Sequence, residues 1–236
     1  MRLFINLVNQ LLDSSFGLRV QPSSSERLRR TRQRVLENFG CKLVIDVGAN
    51  NGDWARTLRT DGYEGHIESF EPTIIFEALR QKALGDDLWS VHNLALSDFS
   101  GEANINVADN EFLSSSLLAP TGIFESNQGI SFNVGGKVKV TTLDKHFAGS
   151  SEENVYLKLD VQGAELSVMK GGEKFLENCR AIEFESALIP QYSGESSHYD
   201  IVNWLHAKGF KEKQVVITHW NKDLETIALD SIFIRK

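Results

Sequence analysis

KLVIDVGANNGDWARTLRTDG, residues 42–62, passes from a short apolar run through two glycines into a helical pattern. An apolar run of this length, ended by a glycine turn, reads as a strand buried on both faces. The segment 53–62 reads as a helix stopped by Gly62. The same unit repeats downstream. GHIESFEP (65–72) is a second strand, TIIFEALRQKALG (73–85) a second helix and LWSVHNLALS (88–97) a third strand. Strands alternating with helices of this length predict βαβ units and a parallel sheet.

The rhythm lapses over residues 98–150 and then returns. GEANINVAD (101–109) alternates like an exposed strand, a Ser-, Asn- and Gly-rich stretch follows, and VKVTTLDKHF (138–147) reads as another strand. Such a segment inside an α/β domain is expected to be an insertion near the active site. After it come a strand (154–163), a helix (164–179), a strand (180–187), a helix (198–210) and two final strands (211–218 and 230–236). Upstream, residues 1–40 read as two helical pieces that extend a domain spanning 41–236. In the first, Leu3, Leu7, Leu11 and Leu12 recur at helical spacing, which suits packing on the domain or on a dimer partner. A weak membrane-surface contact is the second reading, disfavoured because the polar face lacks a Lys/Arg-rich stripe. The second piece carries Arg27, Arg29, Arg30, Arg32 and Arg34, read as a solvated helix face.

The 236 residues suit one α/β domain with a sizeable core. A formal charge of -7 disfavours a phosphate backbone, so nucleic acid is not an expected partner. No run of about 18 apolar residues is present to span a membrane. Cys41 and Cys179 lack CxxC spacing and read as ordinary thiols of a reducing compartment, so a cytoplasmic location is expected. The six histidines form no HxxxH or HxH pair, so spacing indicates no metal site.

Chemistry concentrates where the first strand ends. Asp46 closes the strand, and Gly48 and Gly52 let the backbone turn sharply and approach a ligand without a Cβ in the way. Ligands of open α/β sheets bind at the carboxyl ends of the strands. Glu71, closing the second strand, can accept both hydrogen bonds of a ribose diol. A dinucleotide loop would need GxGxxG, and Asn50 stands where its middle glycine belongs. A carboxylate at Asp46 would repel a pyrophosphate and suits a cofactor with a cationic amino group, such as the methionine part of S-adenosylmethionine. This disfavours a nicotinamide-dependent oxidoreductase. The bland alternative makes Asp46 and Glu71 ordinary capping carboxylates.

The pieces IDVGANNGDW (45–54), ESFEP (68–72), HNLALSD (92–98), VTTLDKHF (140–147), LKLDVQGAELSVMKGG (157–172) and IEFES (182–186) together resemble the FkbM family of S-adenosylmethionine-dependent methyltransferases. They cover about residues 43–187 in the family's order. Family members often carry Glu where this chain has Gln162. The resemblance implies a Rossmann-like class I methyltransferase fold: a doubly wound, mostly parallel seven-stranded sheet with its last strand antiparallel, here with an N-terminal helical extension. It implies S-adenosylmethionine as cofactor and O-methylation of a small molecule or saccharide, such as a glycan or lipid-linked precursor. By position, Asp46, Gly48, Ala49, Asn50 and Gly52 would form the methionine-side loop, Glu71 would hold the ribose, and Asn93 and Ala95 would border the adenine.

A hydroxyl acceptor must also lose its proton, to a base or with a metal's help. Asp160, closing the fourth strand where cofactor and acceptor would meet, is the first candidate. Its other reading is a contact to the cofactor's amino group. Glu185 ends the fifth strand and could face the acceptor, or make a loop salt bridge. His219 is the most plausible base among the histidines, against a surface role. Glu165 reads as a cap on its helix, favoured by the N-terminal dipole. Ser114, Ser115 and Ser116 are candidates for acceptor recognition. The rival outside catalysis is a SAM-binding module that has lost activity and serves as a partner or scaffold. A nucleic-acid methyltransferase is disfavoured because DVQG follows the fourth strand in place of an NPPY-like element.

Overall fold

The computed structural model describes residues 23–122, 129–220 and 223–236. The first predicted helix of the N-terminal extension lies outside the described residues. In chain order the elements are α1 (Ser24–Phe39), β1 (Leu43–Val47), α2 (Asp53–Thr60), β2 (His66–Phe70), α3 (Phe76–Ala83), β3 (Trp89–His92), β4 (Ala95–Leu96), β5 (Gly101–Ala108), β6 (Phe132–Thr141) and α4 (Leu143–His146). They continue with β7 (Val155–Leu159), α5 (Glu165–Lys170), a 3-10 turn (Phe175–Asn178), β8 (Cys179–Ala187), α6 (His198–Ala207), β9 (Lys211–Trp220) and β10 (Thr226–Ile234).

Seven strands form one sheet in the order β3-β2-β1-β7-β8-β10-β9. β1 pairs in parallel with β2 and β7, and β2–β3 and β7–β8 are also parallel. Only β10 runs against its neighbours β8 and β9. This is the expected doubly wound class I methyltransferase sheet with its last strand antiparallel. Strand order reverses between β1 and β7, and the crevice outside their carboxyl ends is where such sheets bind ligands.

The central strands β1 and β7 are buried at every position, as their continuous apolar runs require. One face packs Leu157, Leu159, Phe184 and Phe233 against Leu166, Val168, Ile201 and Leu205 of α5 and α6. The other packs Val44, Tyr156 and Ile232 against Leu28, Val35 and Leu36 of α1 and Ala55 and Leu58 of α2. The α1 helix starts where Ser23 accepts the Glu26 N–H and stops at left-handed Gly40.

The arginine face of α1 is not wholly solvated. Arg32 is buried at 6% exposure and reaches Glu183 of β8. Arg29 pairs with Asp61 and Arg30 with Glu26. Two further differences have local causes. The predicted third strand splits after His92, because Ala95–Leu96 leave the main sheet to pair with β6. The predicted helix 164–179 breaks at Gly171 and Gly172; a Cβ on Gly171 would lie 2.0 Å from the Ser97 carbonyl oxygen. The insertion's β5 and β6 join β4 in a three-stranded sheet, β4-β6-β5, beside the crevice. Among the described residues, no helix is long and apolar enough to cross a membrane.

Candidate functional site

The turn after β1 is held by backbone. Gly48 and Ala49 both donate to the Phe70 carbonyl, at 3.0 Å. Gly48 has φ 75°, and a Cβ there would sit 1.8 Å from the Asp160 carbonyl oxygen, so only glycine lets the β1 and β7 loops approach this closely. Gly52, at φ 84°, opens α2, and a Cβ on it would press to 2.8 Å from Leu79. Asn50 is also left-handed, at φ 48°, a conformation asparagine tolerates.

A cleft opens between this turn, the β2 and β3 ends and the insertion. Gly48, Asn50, Glu71, Ala95 and Asp160 line it. Glu71 is buried, and its carboxylate accepts from Asn50 N (2.9 Å), Thr73 N (2.8 Å) and Thr73 Oγ1 (2.6 Å). Burial pushes the Glu71 carboxyl above its ordinary pKa, opposed by these donors. A carboxylate has about four acceptor directions, so the three donors leave capacity toward the cleft. Leu94, Leu96, Ile105 and Phe112 give it apolar walls, suited to a purine ring. Ser115 and Ser116 line the same cleft, and Ser116 Oγ donates to the Gln162 carbonyl at 2.7 Å.

Four predicted cofactor residues do not line the cleft. Asp46 is fully buried and forms an ion pair with Lys158 Nζ at 2.9 Å, so its charge is answered inside the protein. Ala49 and Gly52 are buried as packing and turn residues. The Asn93 side-chain amide donates to the Glu71 carbonyl at 2.9 Å, bracing the loop after β2. Thr73, Leu94 and Phe112 were missed by sequence; only the Glu-Pro turn at 71–72 hinted at a residue like Thr73.

Lys158 joins the two halves of the site. Its Nζ lies 3.6 Å from Asp160 Oδ2 and donates to the Gly48 carbonyl at 3.1 Å. Burial alone would lower its pKa, but the carboxylates of Asp46 and Asp160 overcome that and hold it well above the lysine range. Through these contacts Lys158 fixes the loop after β1 against the end of β7.

Beyond Asp160 lies a second, polar hollow. Arg29, Trp54, Lys158, Asp160, Glu185 and Asp230 line it, so Asp160 faces both cavities. The β8–β10 register sets Asp230 opposite Glu185. Gln162 Nε2 donates to Asp160 Oδ1 (2.7 Å) and Glu185 Oε2 (3.1 Å). Only a donor can bridge two carboxylates, which explains an amide here. His219 Nδ1 stands 3.4 Å from Glu185 Oε1, with its ring largely exposed. The structure thus brings all three catalytic candidates, Asp160, Glu185 and His219, into one chain of contacts through Gln162. Glu165 opens α5 but does not cap it: the N-cap is Ala164, without a side-chain cap hydrogen bond, and the buried Glu165 carboxylate instead accepts the Val161 N–H of the preceding turn at 2.9 Å.

Asp230 was missed by sequence. Burial, then Glu185, Glu183 and Asp160, push its carboxyl up to about 8. The folded state therefore keeps a proton that the unfolded chain releases near its ordinary 3.8. Native stability contributed by this group is present at low pH and is lost as pH rises through about 8. Asp230→Asn is expected to match the native protein in urea unfolding only below the ordinary 3.8, to exceed it increasingly as pH rises from there through about 8, and to exceed it most at higher pH. A difference independent of pH would contradict this.

The profile of the methyltransferase FkbM domain family matches residues 46–212. A 2-O-methyltransferase from Sinorhizobium fredii (strain NBRC 101917 / NGR234) is 27% identical over 201 residues, covering 82% of this chain and 82% of that protein. Among solved structures, magnesium protoporphyrin IX methyltransferase from Synechocystis PCC 6803 with bound SAM superposes with a TM-score of 0.47 at 12% identity, over 98% of this chain and 96% of that one. The N-terminal domain of a human methyltransferase in complex with SAH gives 0.45 at 12% identity, over 98% and 81%.

Proposed function

The chain belongs to the FkbM methyltransferase family and uses S-adenosylmethionine, and from that premise we propose that it methylates a hydroxyl of a small molecule or saccharide. The observation that carries this reading is the chain of contacts Asp160–Gln162–Glu185–His219, in which Asp160 and Glu185 line a polar hollow and Asp160 also lines the cofactor cleft. The relative named as a 2-O-methyltransferase supports oxygen as the accepting atom. Trp54 on the wall of the hollow, among carboxylates and Arg29, suits a sugar's mixed apolar and hydroxyl surface.

The residues present fit the cofactor. Glu71 offers the ribose its remaining acceptor capacity, Ala95 and the leucines beside it flank the adenine, and the half-exposed Asp160 carboxylate receives the ammonium. When bound, S-adenosylmethionine supplies an electrophilic methyl group with a neutral thioether as leaving group. The chain's work is to place the acceptor and move one proton. His219 takes the hydroxyl proton onto its free imidazole nitrogen as the oxygen becomes an ether. Glu185 holds the other nitrogen and stabilises the imidazolium. Gln162 fixes Glu185 relative to Asp160, so the base and the cofactor end of the site keep one spacing.

The hydrogen bond that the His219 ring donates to the Glu185 carboxylate, opposed by partial burial, raises the His219 pKa above the ordinary imidazole value of 6.5. The neutral ring is the base, so kcat is expected to climb with pH through that raised value. In Glu185→Gln the acidic limb should move down toward the ordinary value while kcat falls. His219→Asn should lower kcat by about 10²- to 10⁴-fold with little change in cofactor affinity. A pH profile unmoved by Glu185→Gln would remove His219 from the role of base.

The direct test is transfer of labelled methyl from S-adenosylmethionine to a panel of mono- and oligosaccharides and phenols, with amine and carboxylate acceptors alongside. Products analysed by mass spectrometry should carry an O-methyl ether. Transfer confined to amines or carboxylates would overturn the reading.

A further inference from the structure

Away from both cavities, three elements bring Glu68, His92 and His146 together. One ligand-competent atom from each lies within 4.8 Å of the others, and all three side chains are half-buried. Glu68 comes from β2, His92 from the end of β3 and His146 from the last turn of α4. The sequence separations are too long for any metal motif, so spacing alone could not reveal the group.

The trio is built, not loosely assembled. His92 Nε2 meets Glu68 Oε2 at 2.5 Å. Phe70 stacks on His92 at 4.7 Å and presents an edge to His146 at 4.9 Å. The His146 ring stands 4.7 Å from that of His92 at 78°. Among the described residues, the His146 ring nitrogens have no hydrogen-bond partner, although the ring is half-buried. The half-buried His146 imidazole thus faces a second imidazole and a carboxylate with both ring nitrogens open to a ligand.

We propose that Glu68, His92 and His146 form a site for a zinc-class transition dication. Two imidazoles and one carboxylate suit such ions, whereas magnesium and calcium require mostly oxygen ligands. Zinc–ligand bonds of about 2.0–2.1 Å put tetrahedral ligand atoms about 3.3 Å apart. The Glu68–His92 contact at 2.5 Å would open to that value and His146, within 4.8 Å, would close to it. The protein fills three positions and leaves the fourth to water. The site also braces the cofactor cleft, because the His92 carbonyl accepts the Glu71 N–H at 3.0 Å. That consequence rests on the proposed cofactor placement; the metal site does not.

The test titrates tag-free, full-length protein with zinc against a chromophoric chelator. One zinc per chain at micromolar affinity or tighter is expected. His146→Ala, which leaves the Glu68–His92 pair in place, should weaken binding by at least about a hundredfold. Glu68→Gln keeps the side-chain shape and should also weaken it, with circular dichroism unchanged in both. X-ray absorption of the zinc-loaded protein should show two imidazoles in the first shell. His206, paired with Glu212 at 2.9 Å elsewhere on the surface, supplies the control. Absence of stoichiometric zinc, or affinity that survives both variants and is lost in His206→Ala, would overturn the proposal.

Discussion

Arg32→Met is expected to destabilise the fold by about 3–5 kcal/mol near neutral pH, the usual cost of stranding one partner of a buried ion pair. Arg32 Nε and Nη2 donate to the two Glu183 oxygens at 2.7 and 2.6 Å, and the Tyr156 hydroxyl adds a donor at 2.5 Å. Both charged side chains are 7% exposed. Burial alone would raise the Glu183 pKa; Arg32 and Tyr156 outweigh it and hold the carboxyl below its ordinary value. Native stability from Glu183 is therefore present above the unfolded pKa and is lost as pH falls through the folded one. Removing Arg32 reverses the situation: the stranded carboxylate then prefers to be protonated, and the deficit should shrink on acidification. The double variant Arg32→Met/Glu183→Met should recover most of the loss, because a packed apolar pair carries no desolvation cost. Urea unfolding of the three variants at two pH values decides the matter. A single-variant loss below about 1 kcal/mol, the range of an exposed pair, would mean that α1 is held to the sheet by Leu28, Val35 and Leu36 alone.

That ion pair marks a limit of reading a sequence. Five arginines on one helix look like a solvated face, and for Arg30 the structure agrees. Nothing in the helix's own pattern says that Arg32 lies over β8, because its partner is 151 residues away. The strand–helix alternation, by contrast, is local, and it sufficed for the parallel sheet and for a cleft at the ends of β1 and β7. The candidate site was legible at the backbone-determined positions. Gly48 has to be glycine because of the loop opposite, and Glu71 ends a strand that must point at the crevice. Asp46 shows the converse. Its position beside the crevice was readable, but its buried pairing with Lys158 depends on strand register, which joins residues 112 apart in the chain and carries no sequence mark. Gln162 stood out only as a departure from the family pattern. Its reason, a donor between two carboxylates, needs β7 and β8 side by side.

The largest expected effect on binding belongs to Glu71→Gln. The native carboxylate takes three donors from Asn50 and Thr73 while facing the cleft. Glutamine fills the same volume but must turn its NH2 either toward those N–H and O–H donors or toward the ribose. The first choice sets donor against donor in a buried place, and the second removes the acceptor from the diol. With about 1.5–3 kcal/mol for a hydrogen bond to a charged group, loss of the paired ribose contacts should weaken both S-adenosylmethionine and S-adenosylhomocysteine by about 10²- to 10³-fold. Equal losses for the two ligands are a specific demand, because they share the ribose and differ only at sulfur. A 2′-deoxyribose analogue separates a lost contact from a distorted loop. If Glu71 holds the diol, the analogue should bind the native protein poorly and lose little more in the variant, so that the two changes are strongly non-additive. Additive losses would mean that Glu71 acts by bracing the Asn50 and Thr73 backbone. The ribose acceptor would then have to be sought among the other groups that line the cleft.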